Sequence, residues 1–313
     1  MLCSRFCLAA LMLHASLLLA SPPAAAETAA PVGIPRSQTH DIRDAQSGAV
    51  YRLFLWRPAT PPPPAGYPVV YLLDGNSSFG TATDIIDARS RRAAVTGMTP
   101  AVIVGIGYPT DAPFDQERRT LDLTPPADPN TLPRRPNGAP WPSVGGADAF
   151  LRFIEQEIKP LVASRYPVDS RRETLMGHSF GGLFTLHVFL TRPDAFSTYV
   201  ANSPSLWFAD RRVLKDAARF AATPPRWNTP PRLMVSVGGL EQSLSDAEAA
   251  LPDADRRRAW KEGNRMVDNC RDLAALLQDV PGLSLRYAEF PDEDHLSVLP
   301  TQLSRGLGFA LSP

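Results

Sequence analysis

Cysteine is nearly absent from this chain. There are three in 313 residues, and two of them, Cys3 and Cys7, stand within the first seven positions. Cys270 is left alone and cannot close an internal disulfide, whatever the redox compartment. Its neighbours Leu273, Ala274 and Ala275 read as a helix face, which makes it a small core residue rather than a reactive thiol. Net charge is absent too: Lys+Arg and Asp+Glu both total 32. A neutral chain has no general attraction for nucleic acid or an anionic membrane. Histidine is scarce at five residues, and no Cys/His cluster has metal-ligand spacing, so neither a metal nor a cofactor is expected. Nor is there an uninterrupted apolar run of the roughly 20 residues that a membrane-spanning helix needs.

The N-terminus carries a shorter signal. Arg5 is its only charge before residue 27, Leu8–Ala20 is apolar apart from His14 and Ser16, and Ala24-Ala25-Ala26 supplies a small-residue cleavage site. This is the pattern of a secretory signal peptide over residues 1–26, removed on export to the periplasm or medium. No stable membrane insertion follows its removal. Residues 27–39 read as a flexible segment and residues 40–313 as one domain, since about 285 residues suffice for a single large core.

Within that domain, short apolar segments alternate with helical patterns. Val50–Trp56 partly alternates, as an edge strand with one wet face would. Pro68–Leu73 and Ala101–Ile106 are nearly continuous apolar runs, the signature of strands buried on both faces of a parallel sheet. Thr174–Met176, Thr198–Ala201, Arg232–Val237 and Leu283–Phe290 continue the series. Phe150, Phe153, Ile154, Ile158, Leu161 and Val162 fall at helical spacing on one face. Further helices are expected at about 182–190, 253–278 and 296–311. The fold class is therefore α/β: a mostly parallel sheet with helices on both faces and an antiparallel N-terminal edge. Pro61–Pro64 reads as a stiff turn in a hairpin between the first two strands. Residues 108–142 hold nine prolines, too many for a regular helix or central strand. A loop this long is usually functional, and its Phe114, Arg118, Arg119, Asp122 and Trp141 suggest an ordered lid or substrate wall.

Gly177-His178-Ser179-Phe180-Gly181 lies between a short strand and a helix. A turn this sharp strains the central residue and needs glycines for close approach, and it presents a serine hydroxyl at the tip of the sheet. Serine needs a general base. His40 lies ahead of the core, the His178 ring points away from the hydroxyl, and His187 is packed two turns into the helix behind. His295, in the acidic turn after the last strand, is the remaining candidate. The acid is expected after the strand Arg232–Val237, where Glu241 is the choice. Asp246, Asp292 and Asp294 are alternatives, and a Ser–His dyad stays open. Phe180 N–H should form one half of an oxyanion hole, with Asn76, in the turn Asp74-Gly75-Asn76-Ser77, as the other donor.

Taken in order, Tyr71–Gly75, Arg119–Pro125, Gly177–Phe184, Ser203-Pro204-Ser205-Leu206-Trp207 and His295 resemble the esterase D-like branch of the α/β-hydrolases. The likeness is nearest to periplasmic siderophore esterases that open the trilactones of enterobactin and salmochelin. The resemblance implies an α/β-hydrolase fold and hydrolysis of esters or lactones through an acyl-enzyme on Ser179. It implies Arg119, Trp207 and Asp74 as substrate contacts, and a small-molecule ester, a ferric catecholate siderophore among them, as the partner. An Arg119–Asp122 salt bridge is an equal alternative for Arg119. Two departures stand out: Glu241 occupies a position where the best-known siderophore members lack the acid, and the substrate loop is unusually rich in proline. A carbohydrate or feruloyl esterase, an acyltransferase, and a silent binding protein are the rival readings.

Overall fold

A computed structural model describes residues 32–135 and 138–312. The leader expected at 1–26, and residues 27–31 of the flexible segment, lie outside the described residues. One eight-stranded sheet forms the frame: β1 (Ser37–Arg43), β2 (Val50–Trp56), β3 (Tyr67–Leu73), β4 (Val102–Gly107), β5 (Val168–His178), β6 (Thr198–Asn202), β7 (Arg232–Gly238) and β8 (Ser284–Phe290). Their spatial order is β1-β2-β4-β3-β5-β6-β7-β8. The β1–β2 and β2–β4 pairs are antiparallel, and the remainder of the sheet is parallel. This is the α/β-hydrolase frame expected from the sequence, with its antiparallel N-terminal edge.

Two boundaries differ from the sequence reading. β1 begins at Ser37, three residues ahead of the domain start drawn at residue 40. Its pattern SQTHDIR is only partly buried, so apolar periodicity could not reveal it. The Pro61–Pro64 turn, expected in a hairpin, instead joins β2 to β3, which are not neighbours, because β4 lies between them.

The strands divide their side chains between two layers, as period-2 geometry requires. Val69, Tyr71, Leu175, Tyr199 and Val235 face one apolar cluster, while Val70, Leu72, Met176, Val200 and Met234 face the other. The helices that cover these faces are α1 (Gly75–Ser90), α2 (Ala93–Thr96), α3 (Gln116–Asp122), α4 (Ala147–Phe153), α5 (Lys159–Arg165), α6 (Phe180–Thr191), α7 (Phe208–Ala222), α8 (Asp246–Ala249), α9 (Ala254–Asn264), α10 (Met266–Leu277) and α11 (Val298–Leu311). A π-turn over Ile154–Ile158 joins α4 to α5. The helix expected over 253–278 is broken at Arg265, which sits in the left-handed region at φ 49°. The break lets Met266, Val267 and Cys270 of α10 enter the core. Burial pushes the Cys270 thiol well above its usual pKa, which leaves it an unreactive core group. Among the described residues, no helix is long and apolar enough to cross a membrane.

The proline-rich stretch holds more structure than expected. Proline excludes a helix only where it stands, and the seven residues Gln116–Asp122 between Pro113 and Pro125 form α3. The Asp115 side chain caps it by accepting the Arg118 N–H.

Candidate active site

The turns after β5, β6, β7 and β8 converge on one cavity of about 380 Å³. Its lining includes Ser179, His295 and Glu241, three residues far apart in the chain that the topology brings together. Open parallel sheets bind ligands at this edge.

Ser179 sits between β5 and α6 with φ 61° and ψ −117°, a conformation that costs a non-glycine residue on the order of 1–3 kcal/mol. The turn closes because Gly177 and Gly181 touch: a Cβ at Gly177 would lie 2.4 Å from Gly181 backbone. The Ser179 N–H is fixed by donating to Asn202 O at 3.0 Å. Ser179 Oγ meets Ser205 Oγ at 3.4 Å. Helix α6 starts immediately after, so Phe180 N–H belongs to a first turn whose donors have no partner within the helix. Phe180 also lines the cavity.

His295, in the turn between β8 and α11, faces Glu241 through Nδ1 at 2.6 Å. The imidazole is partly exposed, at 39 %, and the carboxylate is buried, at 1 %. Glu241 lies in the turn after β7, where Gly238 N–H donates to its Oε1 at 2.7 Å. A Cβ at Gly238 would come within 2.4 Å of Glu293 O, so glycine is what allows the β7 and β8 turns to approach. Lys261 Nζ ties the same turn down by donating to Leu240 O and Ser243 O. Of the alternative acids, Asp292 is exposed, and Asp246 and Asp294 have other settings. Asp246 starts α8, and Asp294 accepts from the backbone N–H groups of Leu296 and Ser297.

The remaining predicted residues divide. Trp207 lines the cavity within a run of ring contacts from Trp141 at 5.7 Å to Trp260 at 5.7 Å. Arg119 also lines the cavity, but its salt-bridge partner is not the one expected. Its Nε and Nη2 grip Asp74 Oδ1 and Oδ2 at 2.9 and 2.8 Å, not Asp122, which lies 3.9 Å from Arg118 instead. Burial works against the Arg119 charge, and the Asp74 carboxylate more than offsets it, so the guanidinium pKa is raised. Asp74, expected to contact substrate, is buried and uses both carboxylate oxygens on this pair. Asn76 stands in the first turn of α1, and its side chain bonds the backbone of Tyr108 and Thr110, away from the cavity lining. His40 lies near Arg165, and His187 is packed against Asp148 at 2.7 Å.

Sequence reasoning missed three polar residues behind the site. Ser203, at the end of β6 with φ 42°, donates to Glu241 Oε1 at 2.5 Å. Gln302 of α11 donates to Ser203 Oγ at 2.8 Å and accepts from His178 Nδ1 at 3.1 Å. The His178 ring, set aside from the sequence as pointing away, lies 4.6 Å from the His295 ring, centroid to centroid. Burial foremost, and then His295, push the His178 pKa well below its usual value.

Residues 48–269 match the family described as "Putative esterase". The chain is 42% identical over 283 residues to the ferri-bacillibactin esterase BesA of Bacillus subtilis, which covers 90% of this chain and 91% of that one. It is 41% identical over 248 residues to the siderophore enterobactin esterase of Emericella nidulans, covering 77% and 80% of the two chains. Among solved structures, the BES protein from Bacillus cereus superposes with a TM-score of 0.80 at 33% identity, over 91% of this chain and all of that one. The siderophore hydrolase EstA from Aspergillus nidulans does so with 0.79 at 34%, over 90% and 97%.

Proposed function

The chain belongs to the esterase family of the α/β-hydrolases and is an ester-hydrolysing serine enzyme, and from that premise we propose that it opens the ester bonds of a catecholate siderophore. The observation that carries the substrate is the cavity wall. Trp141, Phe180, Trp207 and Trp260 touch ring to ring, offering flat faces on which catechol rings stack. Arg135 lies over Trp141 at 5.4 Å, and Lys261 joins the same lining. The Arg135 cation suits a ligand that carries negative charge, whereas Lys261 is already paired with Glu248 at 2.6 Å. The relatives named as siderophore esterases support the same class.

In the proposed reaction His295 takes the proton of Ser179 as the hydroxyl attacks the ester carbonyl. Glu241, on Nδ1, holds the ring in the tautomer that leaves Nε2 free to accept, and it stabilises the imidazolium that results. Phe180 N–H at the head of α6 receives the developing oxyanion. Asn76 N–H is proposed as the second donor: Gly181 stands beside Leu73 and Asp74 at the end of β3, so the first turn of α1 borders the elbow. His295 returns its proton to the leaving alcohol, and water then repeats the sequence on the acyl-enzyme to release the acid and restore Ser179.

A hydrolysis panel tests both reaction and substrate: ferric and apo catecholate trilactones, a hydroxamate siderophore ester, aryl esters and acetylated sugars. A preference for the trilactones is expected, and indifference to them removes the siderophore reading. Ser179→Ala should abolish every hydrolysis in the panel, and wild-type-like turnover by it would overturn the mechanism. Transfer of the acyl group to an added acceptor in place of water would identify a transferase instead. We also propose that the enzyme works after export, on the strength of the residue 1–26 pattern. Intact mass from a producing cell should start after Ala26, and a mature protein that keeps Met1 would sink that proposal.

A further inference from the structure

An ionised carboxylate only accepts hydrogen bonds, and at Glu241 that restriction fixes the direction of every bond behind the site. Oε1 takes the Ser203 hydroxyl proton. With its one proton spent, Ser203 Oγ must accept from Gln302, which sets the amide with Nε2 toward Ser203 and Oε1 toward His178. An amide oxygen cannot donate, so His178 Nδ1 must carry the proton. The chain of bonds therefore runs His178 → Gln302 → Ser203 → Glu241, and His295 closes it from the other side through Nδ1. It joins residues from the ends of β5, β6, β7 and β8 and from α11. Gln302 and Ser203 are fully buried, where an unmatched polar group costs most. Ser203 holds its place with φ 42°, outside the range L-residues favour.

We propose that Gln302 and Ser203 are positioning residues that hold the elbow histidine, His178, as a neutral Nδ1–H imidazole, so that His295 is the ring beside Ser179 that takes up the proton. The inference rests on the roles given above to Ser179, His295 and Glu241. Its logic is electrostatic: two imidazolium rings 4.6 Å apart would repel, and a protonated His178 would oppose the charge that must form on His295 during attack. The His178 ring faces His295 and, at longer range, the Arg119 charge, both of which disfavour a cation there. With burial they outweigh the Gln302 oxygen and the His295 backbone, which favour one. The His178 Nε2 has no hydrogen-bond partner among the described residues. His295 faces Glu241 and His178, with Asp294 close by and Lys261 across the cavity lining. The second-position histidine of the elbow is thus part of the apparatus that selects the base.

The direct test is NMR of the full chain labelled with ¹⁵N-histidine, followed from pH 5 to 9. The expected signal for His178 is a single Nδ1–H tautomer that does not titrate. An Nε2–H tautomer, or a His178 titration inside that range, overturns the proposal without any variant having to fold. Kinetics supply the second readout. Ser203→Ala removes one donor from Glu241, which strengthens the carboxylate's hold on His295 and should move the acidic limb of kcat/KM upward by about half a pH unit. Gln302→Leu should lower kcat about ten- to a hundredfold through loss of ring alignment, with KM within about twofold, and should give His178 a mixture of tautomers. If both variants lower only the melting temperature and leave pH limb, kcat and tautomer in place, the two residues are merely structural. His295→Ala separates the failures: activity retained in that variant sinks the catalytic assignment, whatever the tautomer of His178.

Discussion

Two buried carboxylates stand at the same edge of the sheet, Asp74 at the end of β3 and Glu241 after β7, and each grips a basic side chain. Asp74 holds Arg119 by two bonds. Glu241 holds His295 by one bond of 2.6 Å, with Ser203 and Gly238 on its other oxygen. What differs is the partner. A guanidinium stays charged at any working pH, so the Asp74 pair cannot move a proton and acts as a fastener. It joins the proline-rich segment to the β3 edge, with the Arg119 head near the rings of Phe114 and Phe180, and so holds one wall of the cavity. An imidazole changes charge near neutrality, so the Glu241 pair can stabilise a proton that arrives and leaves. Burial and tight pairing alone do not mark a catalytic carboxylate; the titratability of its partner does.

Crossed substitutions would break this comparison if it is wrong. Glu241→Ala should lower kcat on the order of a thousandfold, with KM little changed, since the ring loses both its tautomer and its counter-charge. A loss below about threefold would mean that Ser179 and His295 act as a dyad. Asp74→Ala should do its damage in the other column. It strands a buried guanidinium, and removing one partner of such a pair costs about 3–5 kcal/mol, readable as a lowered denaturant midpoint. Its kcat per folded molecule should fall far less than that of Glu241→Ala. The reverse pattern, with activity lost and stability kept, would move Asp74 into the chemistry.

Much of this contrast was legible in the sequence, and the part that was not has a physical reason. β3, β4, β6 and nearly all of β7 are buried on both faces and β8 alternates apolar with polar residues, so β3 to β8 could be read within a residue or two, apart from the N-terminal half of β5. Ser179 could be placed because the elbow needs its glycines in sequence, and His295 and Glu241 because the fold delivers them in chain order. Arg119 was legible as a charged residue beside the cleft, but its partner was not. Asp122 is three residues away and Asp74 is 45, and only the tertiary fold decides between them. Ser203, Gln302 and the His178 ring were hidden for the same reason. Each is a common polar residue with no local signature, and its role exists only in a network closed through five separate elements. β1 escaped because a half-wet edge strand with two charges has no apolar period to show.

A third buried carboxylate extends the comparison to the case of a poor partner. Asp122, at the end of α3, lies 3.9 Å from Arg118 and accepts one bond from Tyr108 Oη at 3.2 Å. Burial dominates there, and the carboxyl is raised to about 6. An acid whose pKa is raised on folding binds its proton more tightly in the folded state, so stability should fall as pH rises from about 4 to about 6 and then level off. Asp74 and Glu241 have basic partners at 2.9, 2.8 and 2.6 Å, whereas Asp122 retains part of the cost of its charge at neutral pH. Asp122→Asn should therefore be the mildest of the three changes. Its unfolding free energy should match that of wild type near pH 4 and exceed it by about 2 kcal/mol above pH 6, with hydrolysis nearly unchanged. Denaturant titrations across that window would show the two curves diverging. Parallel curves would mean that Arg118 pairs with Asp122 as well as Arg119 does with Asp74, and that the distance from a cation does not separate these carboxylates.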